Sequence, residues 1–130
     1  MEKKFGVAAK ALIKNNEGKY LVLFKSDNED INPNEIDIPG GRIEFGEETL
    51  ACLEREVKEE TSLEIKIISP SRVWNIIKDD LHLVGVTFVA ELIGGVINLS
   101  GEHNTYFWMT KEEVLNGDYP KWIKKEFSAL

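Results

Sequence analysis

The feature that most constrains the fold is a row of glutamates at helical spacing that directly follows a glycine-rich turn. It lies in residues 41–63, which read GRIEFGEETLACLEREVKEETSL. At about 100° per residue, the side chains of Glu56, Glu59 and Glu60 fall on one face of a helix. The spacing therefore predicts a helix that presents an acidic face shortly after a Pro-Gly-Gly turn.

Another side of this helix is apolar. Leu50, Leu53 and Val57 recur at the same three- and four-residue spacing, so we expect them to face the core. The helix is predicted to span about Glu47–Thr61, with Gly46 as its N-cap. Acidic residues in its first turn suit the positive end of the helix dipole.

The acidic face has a specific chemical use. Clustered carboxylates on one helix face repel each other by a few tenths of a kcal/mol per pair, which a bound cation would offset. Hard oxygen ligands of this kind suit Mg²⁺ or Mn²⁺, which also bind substrate phosphate oxygens. A solvated acidic face is the plainer interpretation of Glu-Val-Lys-Glu-Glu taken alone, but the complete spaced pattern argues against it.

The pattern resembles the signature of the Nudix (MutT-like) hydrolase superfamily, G-x5-E-x7-R-E-U-x-E-E-x-G-U, in which U is a bulky aliphatic residue. The matching positions are Gly41, Glu47, Arg55, Glu56, Val57, Glu59, Glu60 and Leu63. The departure is Ser62, where the family has glycine. Helices often end in a left-handed residue, a conformation that serine adopts at a cost of about 1 kcal/mol. If Ser62 is left-handed, replacing it with glycine should stabilise the protein by up to about 1 kcal/mol; in either case we expect the carboxylate face to be unaffected.

The resemblance implies a metal site on this helix. Glu56, Glu59 and Glu60 match the metal ligands of the family, and the backbone carbonyl group of Gly40 or Gly41 is a further candidate ligand. Glu59 is also a candidate general base for the attacking water. The cofactor implied is Mg²⁺ or Mn²⁺.

The same resemblance assigns supporting roles to neighbouring residues. Arg55 is expected to support catalysis by orienting Glu59 and by pairing with Glu47, which is a structural part of the motif. The candidates for contact with substrate are Gly41, Arg42 and Lys25. A plainer interpretation of both basic side chains is that they are simply solvated.

Glu102 is a further candidate for catalysis. It lies in a Gly-Glu-His-Asn loop just before an aromatic strand, where many relatives carry another acidic ligand or base. The alternative is an exposed loop glutamate. The adjacent His103 is expected at the surface or behind the site.

The implied reaction is hydrolysis of a nucleoside diphosphate linked to another group. Residues that are typical of relatives acting on ADP-ribose, diadenosine polyphosphates and coenzyme A are missing from the corresponding positions. By elimination, the favoured substrate is a (deoxy)nucleoside triphosphate, cleaved to NMP and pyrophosphate. An ADP-ribose, sugar-nucleotide or dinucleotide pyrophosphatase is the alternative. A different class is a Nudix sensor that binds nucleotide without turnover, although such relatives usually lose box carboxylates.

Composition sets the remaining limits. The 130 residues, 42% hydrophobic, suit a single Nudix domain over 1–130. A net charge of −7 gives no general electrostatic footprint for duplex nucleic acid or an anionic membrane. With no signal-peptide pattern and no apolar run of about 18 residues, we expect a cytoplasmic protein. Its expected partner is a small nucleotide, and homodimers are frequent in the family.

Around the box helix, the pattern predicts strands and two short C-terminal helices. The expected strands are Phe5–Ile13, Tyr20–Phe24, Ile36–Ile38, Leu63–Ile68, Ser71–Ile77, Leu81–Ile93 and Thr105–Met109. Residues 25–35 are expected to be a loop, and helices are expected at Lys111–Asn116, with a Thr110/Glu113 capping box, and at Pro120–Phe127. The order of elements and the resemblance imply an α/β fold, a helix–sheet–helix sandwich with a mixed central β-sheet.

The aromatic residues are expected to serve mainly in packing. Trp74, Phe88 and Trp108 lie in predicted strands, where core packing is the default, and Trp122 is expected to pack a helix on the sheet.

Overall fold

The computed structural model describes residues 2–27 and 30–130. Within these ranges seven strands form one mixed sheet with the order β3-β2-β1-β6-β5, in which β4 also pairs with β1 and β7 with β2. The strands are β1 Lys4–Lys14, β2 Tyr20–Asp27, β3 Asp30–Asp37, β4 Gly40–Arg42, β5 Glu64–Lys78, β6 Leu81–Gly94 and β7 Thr105–Met109. The helices are α1 Thr49–Thr61, α2 Lys111–Asn116 and α3 Lys121–Ser128.

Alternation along the central strands separates two hydrophobic cores. On one face of the sheet, alternate residues of β1 and β2 pack with Leu53 and Val57 of α1. On the other face, the intervening residues pack with Val114, Ile123 and Phe127 of α2 and α3. β1 and β6 run parallel, and the other pairs are antiparallel. The predicted helix–sheet–helix sandwich with a mixed sheet is confirmed.

The box helix begins two residues later than predicted. Glu48, not Gly46, is the N-cap, and its carboxylate accepts a hydrogen bond from the Ala51 N–H at 2.9 Å. Glu47 lies outside the helix, where Arg55 engages its carboxylate. The predicted core position of Leu50 is also wrong, because its side chain is 40% exposed. The buried stripe of α1 consists of Cys52, Leu53, Val57 and Thr61.

The polar segment between the first hairpin and the Pro-Gly-Gly turn is not the predicted loop. β2 continues to Asp27, and β3 begins at Asp30 and pairs antiparallel with β2. Residues 28 and 29, part of the predicted loop, lie outside the described residues. β3 stands at the end of the sheet path. An edge strand needs hydrogen bonds on one side only, so it tolerates polar residues and Pro33.

The two strands predicted on either side of Pro70 form one long strand, β5. Its pairing with β6 changes register next to Pro70, between Ile67 and Ser69 and between Pro70 and Arg72. These bulges accommodate a proline that donates no ladder hydrogen bond. The predicted capping box at Thr110 and Glu113 is present at the start of α2.

The C-terminal end of α1 and the N-terminal end of α3 bear on smaller points of the sequence analysis. Ser62, whose conformation the sequence left open, is left-handed with φ of 65°, and its N–H donates to the Lys58 carbonyl oxygen at 2.9 Å. α3 starts at Lys121, with Pro120 at its N-cap. None of the helices described over residues 2–27 and 30–130 has the length and apolar character needed to cross a membrane.

Candidate active site

Two adjacent glycines let a helix and a strand meet closely at the predicted site. A Cβ atom on Gly40, which has φ of 148°, would lie 2.1 Å from the Ala9 carbonyl oxygen of β1. A Cβ atom on Gly41 would lie 2.6 Å from the Glu56 carboxyl carbon. Gly40 therefore permits strand pairing, and Gly41 admits the Glu56 carboxylate against the backbone.

Glu60 projects from the last turn of α1 to the same turn of backbone. Its Oε2 accepts a hydrogen bond from the Gly40 N–H at 3.2 Å. Burial raises the pKa of the Glu60 carboxyl to about 7, against the lowering effect of that hydrogen bond. The negative charge of Asp37 also raises this pKa, whereas the positive charge of Lys10 lowers it. Glu60 is thus a half-buried carboxyl at which additional positive charge is favourable.

Arg55 links three of the motif glutamates. Its Nε and Nη2 donate to the two Glu47 oxygens at 2.6 and 3.0 Å. Its Nη1 lies 3.1 Å from Glu56 Oε1 and 3.2 Å from both oxygens of Glu59. The bidentate pair with Arg55 lowers the pKa of Glu47 to about 2. The contacts expected of Arg55 are present, and its part in catalysis stays a prediction.

Glu56, like Glu60, is a carboxyl whose pKa is raised by burial. Burial raises its pKa, the neighbouring charge of Arg55 opposes that shift, and the charges of Glu59 and Glu102 reinforce it. Carboxylate oxygens in such surroundings fit a hard divalent cation. The residue types on this face therefore match what Mg²⁺ or Mn²⁺ requires.

The carboxylates are not gathered around one point. Among residues 2–27 and 30–130, no three His, Cys, Asp or Glu side chains are arranged so that they could hold an ion as they stand. Both oxygens of Glu59 instead contact Arg55, while Glu60 contacts Gly40. Glu59 has 59% of its side chain exposed, so its rotamer can change without a movement of the backbone.

Glu102 lies in the connection between β6 and β7, near the box carboxylates. Its side chain is exposed, and its charge raises the pKa of both Glu56 and Glu60. His103, predicted at the surface or behind the site, is mostly buried and places Nε2 3.2 Å from Asp37 Oδ2. The structure thus brings this loop to the carboxylate face.

The two predicted basic contacts for substrate are not joined to the carboxylates. Lys25 and Arg42 are exposed. Arg42 lies on β4 with its guanidinium beside Gly6 of β1. In the described part of the chain, no hydrogen bond or ion pair connects either side chain to Glu56 or Glu60.

The sequence interpretation missed Lys10 and Asp37. Lys10 Nζ donates to Asp37 Oδ1 at 2.9 Å and to the Ile38 carbonyl oxygen at 3.1 Å. Burial opposes ionisation of Asp37, but the hydrogen bond from His103 and the charge of Lys10 lower its pKa overall. A lysine in the middle of an otherwise apolar strand was the available signal.

A cavity of about 560 Å³ opens beside Lys10 and Asp37, on the face of the sheet that α3 covers. Trp74 lines it, with the indole lying on Gly85 and Nε1 donating to Thr87 Oγ1 at 3.0 Å. Trp122 also lines the cavity and is 42% exposed. The prediction that Trp122 packs the helix on the sheet stays a prediction.

Behind Trp74, a buried glutamate closes the cavity. Glu126 of α3 is 3% exposed, accepts a hydrogen bond from Thr87 and forms an ion pair with Arg72. This network holds the tryptophan ring in one orientation, because its indole N–H is bonded to the same threonine.

Comparison with known proteins decides the family. A family model described as the NUDIX domain matches residues 4–130. The chain belongs to the Nudix family. The resemblance carried by residues 41–63 is confirmed, and so is the enzyme class, that of the Nudix pyrophosphohydrolases.

Individual relatives are distant in sequence and similar in fold. Nucleoside triphosphatase NudI of Escherichia coli is 24% identical, with 79% of this chain and 81% of the relative covered. A MutT-like protein of Streptomyces ambofaciens is 26% identical over 83% of this chain and 66% of its own length. The crystal structure of a MutT protein from Methanosarcina mazei Go1 superposes with a TM-score of 0.82 at 27% identity, covering 98% of this Nudix chain and 94% of the other.

Proposed function

We propose that this Nudix protein is a divalent-metal-dependent hydrolase that cleaves a nucleoside triphosphate, ribo or deoxyribo, to the monophosphate and pyrophosphate. One observation carries the proposal: the half-buried carboxyls of Glu56 and Glu60 meet the Gly40–Gly41 backbone next to a cavity lined by tryptophan. Lys10 joins the two, because it lines the cavity and its charge acts on Glu60. The two places suit the phosphate end and the base end of one nucleotide.

The metal end of the site uses oxygen donors. Glu56, Glu59 and Glu60, with the Gly40 carbonyl group, would hold Mg²⁺ or Mn²⁺. A bound divalent ion neutralises phosphate oxygens and acidifies a water molecule. Glu59 or Glu102 would take the proton as that water forms a new O–P bond and the anhydride P–O bond breaks. Arg55 Nη1 donates to both Glu59 oxygens and so holds this carboxylate beside the proposed metal site.

The base end uses the cavity. The Trp74 ring is fixed by Thr87 and by its fit on Gly85, and it offers a flat surface on which a nucleobase stacks. Trp122 lines the same cavity from α3. Gly41, Arg42 and Lys25 remain the proposed contacts for phosphate, with the two cations reaching the phosphate chain only when substrate is bound. A small nucleotide as partner, a cytoplasmic location and a homodimer belong to the same proposal.

A hydrolysis screen with identified products tests the proposal. The panel holds NTPs, dNTPs, ADP-ribose, sugar nucleotides and dinucleoside polyphosphates, each with Mg²⁺, with Mn²⁺ and with EDTA. The variants are Glu59→Gln and, as a matched control, Glu54→Gln, whose side chain is exposed on the same helix. We expect a triphosphate to yield monophosphate and pyrophosphate, a loss of about 100-fold or more in Glu59→Gln, and a wild-type rate in the control.

Other outcomes would replace the proposal. Turnover confined to ADP-ribose, sugar nucleotides or dinucleotides would make this a pyrophosphatase of those substrates. Nucleotide binding without turnover of any compound would leave a sensor. A wild-type rate in Glu59→Gln would remove Glu59 from the site.

A further inference from the structure

The connection between β6 and β7, residues 95–104, lacks regular secondary structure but is anchored along its length. Its apolar residues Ile97 and Leu99 pack against the α1 core. Two of its backbone N–H groups serve the end of α1: Asn98 donates to the Thr61 carbonyl oxygen at 2.9 Å, and Ser100 to that of Glu60 at 3.1 Å. The connection therefore completes hydrogen bonds that the last turn of a helix cannot make by itself.

Ser62 adds a side-chain contact to this anchor. Its hydroxyl donates to the Asn98 carbonyl oxygen at 3.3 Å. Ser62 is also the position at which the chain departs from the glycine of the motif, and it holds the left-handed conformation that glycine adopts without strain. A glycine would keep the turn but could not make this bond. A serine in place of the motif glycine is explained if its hydroxyl group helps to anchor the β6–β7 connection.

The other end of the connection is tied to β3. His103 Nε2 lies 3.2 Å from Asp37 Oδ2, and the histidine side chain is 13% exposed. Asp37 is itself held by Lys10 at 2.9 Å and by the Ile38 N–H at 2.8 Å. The histidine therefore meets a carboxylate that has little freedom to move.

Glu102 lies between these two anchors and next to His103. Its own side chain is exposed, so the backbone on either side sets the point and direction from which the side chain extends. Ser100, two residues earlier, is bonded through its N–H to the Glu60 carbonyl oxygen, which places this backbone beside the end of α1. We propose that Ser62 and His103 are positioning residues that hold the β6–β7 connection so that the Glu102 carboxylate faces the metal-binding carboxylates Glu56 and Glu60. The inference rests on the proposed function of that site.

A double-mutant cycle tests the positioning role. The variants are Glu102→Gln, His103→Ala and the double variant, with kcat and KM measured on the best triphosphate. We expect Glu102→Gln to lower kcat about tenfold or more and His103→Ala to lower it about threefold or more, both with little change in KM. In the double variant we expect no loss beyond that of Glu102→Gln, because there is no longer a carboxylate to position.

Serine variants test the other anchor. Ser62→Ala and Ser62→Gly both remove the hydroxyl, but only glycine relieves the left-handed strain. If Ser62 positions Glu102, both lower kcat to a similar extent, and neither lowers it further in the Glu102→Gln background. His103→Gln, which keeps a hydrogen-bond donor for Asp37, should restore part of the rate lost in His103→Ala.

Titration with Mn²⁺ in the absence of substrate provides a reading that does not need turnover. Removing the Glu102 charge should weaken Mn²⁺ binding about threefold or more, and His103→Ala should weaken it only when Glu102 is present. Additive effects in both cycles, or a Glu102→Gln variant with wild-type kcat and Mn²⁺ affinity, would overturn the inference. A wild-type protein that hydrolyses no nucleotide would overturn the proposed function instead, and the Mn²⁺ cycle would still decide the positioning role.

Discussion

Glu60 on α1 and Glu126 on α3 are both carboxylates withdrawn from solvent by helices on opposite faces of the same sheet, yet their partners differ. Glu126 is more deeply buried and is matched by the Arg72 guanidinium and the Thr87 hydroxyl. Glu60 has one backbone hydrogen bond, and the carboxylates of Asp37 and Glu102 act on it with like charge. Burial alone therefore does not distinguish the two carboxylates; the presence or absence of a matched counter-charge does.

Arg72 and Arg55, the arginines that contact carboxylates on the two faces, show the same contrast. Arg72 pairs with one carboxylate, whereas Arg55 contacts Glu47, Glu56 and Glu59 at once. One cation shared by three carboxylates leaves net negative charge on the α1 face, where we propose that the metal binds. On the α3 side, the pair of Arg72 with Glu126 is locally balanced, which suits a rigid wall for a binding cavity.

The largest expected effect concerns turnover on the acidic face. Glu56→Gln and Glu60→Gln should each lower kcat by about 100-fold or more, because each removes a ligand charge from the proposed metal site. Their melting temperatures without metal should stay at or above that of wild type, since each change relieves charge repulsion. Steady-state kinetics and thermal unfolding in EDTA check both parts. Two variants that melt well below wild type would show that the two carboxylates serve the fold.

Removing the matched carboxylate Glu126 on α3 should instead lower the stability of the fold. Glu126→Ala should lower the free energy of unfolding by about 2–3 kcal/mol, somewhat below the figure for a fully buried pair, because Arg72 is partly exposed and regains water. Glu126→Gln, which keeps an acceptor for Thr87, should lose less. Urea unfolding with unchanged m-values would measure the difference. A Glu126→Ala variant as stable as wild type would remove the contrast between the two faces.

The pH dependence of stability should sharpen the comparison. Since burial raises the pKa of Glu60 from 4.5 to about 7, its stabilising contribution is complete below about pH 4.5 and is lost as the pH rises through 7. Without metal, the melting temperature of wild type should therefore fall between pH 5 and 8 more than that of Glu60→Gln. Excess Mg²⁺ should remove much of the fall, because the cation stabilises the ionised carboxyl. Parallel curves for the two proteins in EDTA would contradict the raised pKa.

The smallest expected effect is at Ser62. Replacing it with glycine relieves about 1 kcal/mol of left-handed strain but loses a hydrogen bond of about the same worth. We therefore expect Ser62→Gly to change the unfolding free energy by less than about 0.5 kcal/mol and Ser62→Ala to lower it by about 1 kcal/mol. Chemical denaturation of both variants checks this. A clear gain in Ser62→Gly would mean that the contact with Asn98 contributes little.

Local spacing predicted the parts of the fold that depend on a few neighbouring residues. The box helix and the contact of Arg55 with Glu59 follow from helical spacing, whereas the pair of Arg55 with Glu47 was implied by the resemblance to the Nudix motif. The errors came where a distant partner decides. β3 is a strand because β2 lies beside it, and Leu50 is exposed because the sheet contacts a different part of α1.

The sequence by itself determined the family, the order of elements and the row of carboxylates, because a helix and a glycine turn place side chains by local geometry. Only the tertiary structure decided how far each carboxyl pKa is shifted and which cation or hydrogen-bond donor lies beside each carboxylate. Lys10, Asp37 and His103 are far apart in the chain, and Glu126 meets Arg72 across the sheet from another helix. Burial and counter-charge depend on which strands and helices become neighbours, and that information lies in contacts between distant residues.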